Sequence, residues 1–225
     1  MNEQERALMR TGGIRLAYDE REENDFYATD PKAAEWLLKI EPEITDVWEP
    51  FVGTGNLAEP YREANKLRII SDLIDRGYYP ERISTSYGKD FLKMNKIWKG
   101  DIVSNPPYKD SLKYVKHCLD LVNEGHYVAL FLRLNFLETL ERYKFFKKYP
   151  PIRVWIPALR IVCARDNEFM IPATNRKTGE VLYDKEGNIK YTKRTSAVCS
   201  CWYIWKKGYT GETVLKWFNN GKKEE

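Results

Sequence analysis

The sequence predicts an α/β fold, a mostly parallel central sheet with helices on both faces and a small β-hairpin insertion near the C-terminus. Three observations predict it. Strand-like and helix-like segments alternate from about residue 30 to residue 160. Tyr127 to Leu134 is a continuous apolar run, as expected of a strand buried on both sides. After Arg160 the alternation gives way to a polar, turn-rich stretch, and Val198 to Trp205 then returns as a strongly apolar strand.

Each element has its own local warrant. Residues 1 to 23 are charged and unpatterned and read as a loose arm, with one domain over 24–225 and an insertion at 163–197. A helix begins near Pro31, with Asp30 as its N-cap and proline at the first position. Ile44 to Glu49 reads as the first strand, Asn56 to Asn65 as a helix with Pro60 in its first turn, and Leu67 to Leu73 as the second strand. Tyr87 to Phe91 reads as a turn carrying Asp90, and Gly100 to Ser104 as the next strand. Ser111 to Asn123 has Leu112, Val115, Leu119 and Val122 on one helical face. Glu138 to Tyr149 follows as a helix and Ile152 to Ile156 as a strand. Within the insertion, Glu180 to Tyr183 and Asn188 to Tyr191 flank Asp184-Lys185-Glu186-Gly187, a hairpin with Gly187 at a positive φ.

Composition narrows the function classes. The chain has 225 residues, 43% of them hydrophobic, enough for a packed core. No apolar run approaches the length of a membrane-spanning helix, and the polar start Met1 to Arg6 does not resemble a signal peptide. Cys118, Cys163, Cys199 and Cys201 form no CxxC pair, and only His117 and His126 could join them. Reduced thiols and a cytoplasmic setting are expected, and no metal site. Net charge is +4, unevenly spread: residues 1–137 carry 19 basic and 23 acidic groups, and residues 138–225 carry 18 and 10. A polyanion meeting the C-terminal part fits this asymmetry, as do ordinary solvated lysines.

Two motifs sit where open α/β sheets bind ligands, at the C-terminal ends of strands. Glu49-Pro50-Phe51-Val52-Gly53-Thr54-Gly55-Asn56 joins the first strand to a helix. Glycines there permit close backbone approach and a tight turn, although GxG alone also fits a plain strand-to-helix connection. Asp72 ends the next strand, placed to accept hydrogen bonds from a ribose diol. Asp90 and Phe91 follow, a carboxylate for an adenine amino group and a ring to pack on it. With no third glycine and no phosphate-binding lysine, the set suits a nucleoside ligand without phosphates rather than ATP or NAD. The second motif, Asn105-Pro106-Pro107-Tyr108, follows the apolar run Asp101 to Ser104. Two prolines end the strand and stiffen its exit, projecting a carboxamide and a phenol.

In this order the motifs resemble the class I methyltransferase layout, a Rossmann-like fold, and come nearest to the DNA adenine-N6 methyltransferase-like proteins of bacteria and their phages. The resemblance runs from about Phe26 to Trp205 and rests on Phe51-Val52-Gly53-Thr54-Gly55 and on Asn105 to Tyr108, an unbroken NPPY. Phe26-Tyr27-Ala28-Thr29-Asp30-Pro31 is similar to the segment that holds the cofactor's amino-acid end, with Asp30 interposed between Thr29 and Pro31. The resemblance implies S-adenosylmethionine as cofactor, contacted by Tyr27, Thr29, Glu49, Phe51, Gly53, Gly55, Asp72, Leu73, Asp90, Phe91 and Asn105. It implies Asn105, Pro106, Pro107 and Tyr108 as the catalytic set. The Asn105 side-chain oxygen and the Pro106 carbonyl would accept from an NH2 group, favouring a pyramidal nitrogen poised for attack, while Tyr108 stacks on the acceptor ring.

The expected acceptor is adenine N6 in DNA, met by Arg165, Arg176, Lys177, Lys185, Lys190, Lys193 and Arg194 in or around the insertion. An insertion of this size reads few bases, or recognition comes from a partner subunit. An RNA base, a protein glutamine, and a non-catalytic cofactor- or nucleic-acid-binding accessory remain as alternatives. Arg133 ends a strand within reach of the site, and His117 reads as a solvated or capping residue.

Overall fold

The computed structural model describes residues 26–164, 167–175 and 177–221. The arm expected at 1–23, and Arg165 and Arg176, lie outside the described residues. In chain order the elements are β1 (Ala28–Thr29), α1 (Lys32–Ile40), β2 (Val47–Glu49), α2 (Ala58–Glu63), β3 (Leu67–Asp72), β4 (Ser84–Tyr87), β5 (Ile102–Ser104), α3 (Ser111–Leu121), β6 (Tyr127–Arg133), α4 (Leu140–Lys148), β7 (Arg153–Pro157), β8 (Cys163–Ala164), β9 (Met170–Pro172), β10 (Tyr191–Lys193), β11 (Ser200–Lys206) and β12 (Val214–Phe218).

The main sheet has the order β12-β7-β11-β6-β5-β2-β3-β4. Pairing is parallel except on both sides of β11, which runs antiparallel to β6 and β7. From β2 the chain winds outward through β3 and β4, then crosses back to β5 and winds the other way. The crossover leaves a crevice beyond the carboxyl ends of β2 and β5, the switch point at which such sheets take ligands.

Alternation along the strands builds a core on each face. Ala33, Leu37, Tyr61, Ile70, Phe131 and Trp202 pack under α1 and α2. Ile102, Val115, Leu119, Leu130, Tyr203 and Trp205 pack under α3 and α4. Pro60 sits in the first turn of α2, where its missing N–H would have no helical partner in any residue. Pro31, expected at the first helical position, is the N-cap of α1, and Asp30 one residue before it accepts through Oδ1 from Lys32 N at 3.0 Å.

Some elements depart from expectation. β4 lies in the stretch before the expected turn at 87–91; Ser84-Thr85-Ser86-Tyr87 has no apolar alternation, and parallel pairing with β3 makes it a strand. β12 extends the sheet past β7, beyond the last element expected at Trp205. Gly100 and Asp101 fall outside β5. Asp101 instead accepts from Thr45 N and Tyr127 N, both at 2.8 Å, and ties the lower ends of neighbouring strands. The helix expected from Glu138 starts at Leu140, after a 3-10 turn over Leu134–Leu137 and a Thr139 cap on Arg142 N. Between β7 and β11, β9 and β10 pair antiparallel, with further bridges at Thr174–Val181 and Tyr183–Ile189, and Gly187 turns the chain at φ 87°.

Candidate functional site

A cavity of about 400 Å³ opens at the switch point, lined by the loops after β2 and β5 together with the segment that leads into β1. All the residues expected at the site line it except Gly53 and Gly55.

β2 delivers Glu49 to the floor. The side chain is buried, and no hydrogen bond or ion pair to it is made among the described residues. Burial, with the Asp72 charge adding to it, pushes the Glu49 carboxyl well above its ordinary range. The cavity floor therefore holds a carboxyl group that favours its proton and has no cation beside it among the described residues.

The glycine loop follows. Gly53 takes φ 56° and Gly55 φ 87°, a region that L side chains rarely adopt. Gly53 N donates to Asp72 Oδ2 at 2.8 Å. Asp72 Oδ1 accepts from Ile74 N at 3.0 Å and pairs with Arg76 at 3.3 Å. Arg76 in turn lies over the Phe26 ring, 4.1 Å from its centre. The space expected to admit a ligand close to the glycines is taken by aromatic side chains. A Cβ on Gly53 would lie 2.3 Å from Phe26, and one on Gly55 2.4 Å from Tyr78. The missing Cβ atoms seat these rings, and the rings close the loop into the cavity wall.

Asp72 thus spends most of its carboxylate on the loop, and its remaining lone pair is what it can offer a diol. Asp72→Ala is expected to weaken cofactor binding severely and to lower the melting temperature, because Gly53 N, Ile74 N and Arg76 lose their acceptor together. Titration calorimetry and thermal unfolding of the same variant check both effects, and unchanged cofactor affinity would remove Asp72 from the site.

On the far wall, Asp90 Oδ1 accepts from Leu92 N at 3.1 Å and caps the 3-10 turn Phe91–Lys93. Phe91 is buried and meets Phe51 edge-on at 4.9 Å; Phe51 meets Tyr114 at the same spacing. His117, expected to be solvated or capping, instead packs edge-on against Phe91 at 5.0 Å. Leu73 stands exposed at the rim.

The β5 exit carries Asn105 to Tyr108. Asn105 Nδ2 donates to Thr29 Oγ1 at 2.8 Å and contacts the Tyr108 hydroxyl at 3.5 Å and Cys163 Sγ at 3.8 Å. Its Oδ1 is buried and has no hydrogen-bond partner among the described residues. Tyr27 stacks near-parallel with Tyr108 at 6.2 Å, and the Arg133 guanidinium lies over the Tyr108 ring at 4.4 Å. Burial, with Cys163 close by, holds the Tyr108 hydroxyl well above its ordinary pKa, so it is neutral.

Sequence reasoning missed Cys163, Phe26 and Arg76 as parts of the site. Phe26 begins the Phe26 to Pro31 segment and had a sequence signal, whereas Cys163 and Arg76 had none. Of the basic residues in the insertion, Arg194 pairs with Glu168 at 3.1 Å, while Lys177, Lys185, Lys190 and Lys193 are exposed. No group of three His, Cys, Asp or Glu among the described residues could hold a metal ion, and none of their helices is long and apolar enough to cross a membrane.

No family model and no curated protein matches the sequence. Solved structures do match. A candidate RNA methyltransferase from Pyrococcus horikoshii aligns at 11% identity and TM-score 0.50, over 92% of this chain and 99% of its own. A candidate O-methyltransferase from Agrobacterium tumefaciens aligns at 10% identity and TM-score 0.53, over 86% and 89%. The modification subunit of a candidate type I restriction enzyme from Vibrio vulnificus aligns at 12% identity and TM-score 0.52, over all of this chain and 54% of its own. Identities this low show the fold alone, and the chain has the Rossmann-like α/β fold of these methyltransferases.

Proposed function

We propose that this chain transfers a methyl group from S-adenosylmethionine to an exocyclic amino nitrogen, with adenine N6 in DNA as the acceptor. The observation that carries the reading is Asn105 Oδ1, a buried acceptor left without a donor among the described residues, on a residue that lines the cavity. Leaving such an oxygen unpaired costs about 1–3 kcal/mol, which a donor arriving with the substrate relieves. An NH2 group supplies that donor, and an anionic or aprotic acceptor does not.

Glu49 tests the fit of the cofactor. The sulfonium cofactor carries positive charge and an ammonium group, and a buried carboxyl group with no cation beside it among the described residues, which such a ligand would draw into its ionised form, suits it. A cavity of about 400 Å³ is within the range of cofactor sites. When bound, the cofactor supplies an electrophilic methyl group. The protein's own residues do the rest. Asn105 Oδ1 and the Pro106 carbonyl accept from the amino group and direct its lone pair. The two prolines keep that pair of acceptors rigid. The aromatic walls of Phe51, Phe91 and Tyr114 exclude water around the reacting atoms. No strong general base is required, because the nitrogen becomes acidic as it is alkylated.

DNA is the acceptor favoured by the NPPY resemblance and by the exposed lysines of the insertion. Incubating the protein with methyl-labelled cofactor and DNA, RNA and cell-lysate protein, then digesting each to its monomers, tests this. Label in N6-methyl-2′-deoxyadenosine of the DNA digest is expected. Label confined to RNA or to protein glutamine would replace the acceptor, and no label in any pool would end the reading.

A further inference from the structure

A carboxamide serves an amino acceptor only with its oxygen forward. Its two ends are nearly the same shape, so its neighbours decide which way it faces. At Asn105 the nitrogen end meets Thr29 Oγ1 at 2.8 Å. A threonine hydroxyl does not choose between the ends, since it accepts from an amide nitrogen or donates to an amide oxygen equally well.

Two further groups meet the same nitrogen, the Tyr108 hydroxyl at 3.5 Å and Cys163 Sγ at 3.8 Å. β1 pairs with β8 in a register that puts Thr29 opposite Cys163, and Thr29 Oγ1 lies 3.9 Å from Cys163 Sγ. A neutral thiol both donates and accepts weakly, so either atom of the Thr29–Cys163 contact can carry the proton. With the Thr29 proton turned to sulfur, the Thr29 lone pairs face Asn105 and are satisfied only by N–H. The NH2 end of the carboxamide is then held by Thr29, Tyr108 and Cys163, and Oδ1 is the end that has no partner among the described residues.

We infer that Thr29 and Cys163 are positioning residues that hold the nitrogen end of the Asn105 carboxamide and so leave its oxygen for the acceptor. The inference rests on the amino-transfer reading above and moves Thr29 from the cofactor's amino-acid end to the catalytic carboxamide. Cys163 acts as a neutral thiol, since burial holds it above its ordinary pKa.

Thr29→Val keeps the shape and removes the hydroxyl; Thr29→Ser keeps the hydroxyl; Cys163→Ala removes the sulfur. Thr29→Val and Cys163→Ala are each expected to lower kcat about 10- to 100-fold, the effect of one lost polar contact, with cofactor Kd within about twofold of wild type. Thr29→Ser should stay within about threefold in kcat. Thermal unfolding shows that each variant is folded. A second readout does not need turnover: the Asn105 side-chain NH2 signal in 15N NMR, identified by its loss in Asn105→Ala. Its protons should exchange slowly in wild type and Thr29→Ser and much faster in Thr29→Val. Wild-type kcat in Thr29→Val, a defect confined to cofactor Kd, or equal protection of that NH2 in Thr29→Val would each overturn the inference. If wild type transfers no methyl group to any acceptor, the parent reading fails, and the exchange rates still decide the role of Thr29.

Discussion

Asn105→Ala is expected to abolish methyl transfer while cofactor affinity stays within about threefold, because the residue acts on the acceptor and the ordering of charge in the transition state. The expected loss in kcat is about 10²- to 10³-fold, the usual effect of removing one preorganised polar group aimed at a reacting centre. Single-turnover rates with saturating cofactor, measured beside titration calorimetry, separate chemistry from binding. The stiff Pro106-Pro107 exit should remain, so the variant keeps the backbone of the site and loses the carboxamide, its oxygen together with the nitrogen that meets Thr29. Transfer at the wild-type rate would refute the assigned role. A parallel fall in cofactor affinity would instead place Asn105 in the cofactor site, the other role that its motif implies.

Glu49→Gln is expected to strengthen the ligand-free fold and weaken cofactor binding. The Glu49 carboxyl is raised well above its ordinary value of 4.5, first by burial and then by the charge of Asp72. A carboxyl raised in this way holds its proton more tightly folded than unfolded. It therefore lowers stability as pH rises from 4.5 toward the folded value, and the loss persists above it. Glutamine has no such charge, so the variant should have the higher melting temperature at neutral pH, and its melting temperature should vary less over the same pH window. Cofactor affinity should move the other way, falling on the order of 30- to 1000-fold as a buried charge pair is removed. In wild type that affinity should climb with pH through the Glu49 titration, and in the variant this dependence should be absent. Parallel melting curves against pH, or unchanged cofactor Kd, would show that the buried carboxylate is not the cation site.

The pair of variants also separates two kinds of unsatisfied group. Asn105 Oδ1 lacks a donor and Glu49 lacks a cation among the described residues, and each is expected to be completed by a different ligand. Native proteins tolerate such groups where function requires them, at a cost in the stability of the free form.

Much of this was readable in the chain. The apolar run at Tyr127 to Leu134 became β6 and the helical spacing at Ser111 became α3, while the hairpin expected of Glu180 to Tyr183 with Asn188 to Tyr191 is reduced to a bridge at Tyr183–Ile189 and the ladder forms instead between β9 and β10. These readings rest on local periodicity and turn chemistry, which a sequence carries directly. The two motifs were placed at strand ends for the same reason, and both line one cavity. β4 was not legible as a strand because Ser84 to Tyr87 presents no apolar face; only its neighbour β3 defines it.

By itself the sequence determined the alternation of elements, the strand-end position of Glu49 and Asn105, and the types of group offered there. Tertiary structure alone decided what those groups meet. Thr29 reaches Asn105 across 76 positions, Cys163 reaches it across 58, and Arg133 lies over Tyr108 from another strand. Such contacts depend on the sheet order and on the antiparallel register of β1 with β8, set by packing among distant segments. A hydroxyl or a thiol has no preferred direction until its neighbours are fixed, so which atom of Asn105 faces the cavity is a property of the fold and not of the motif.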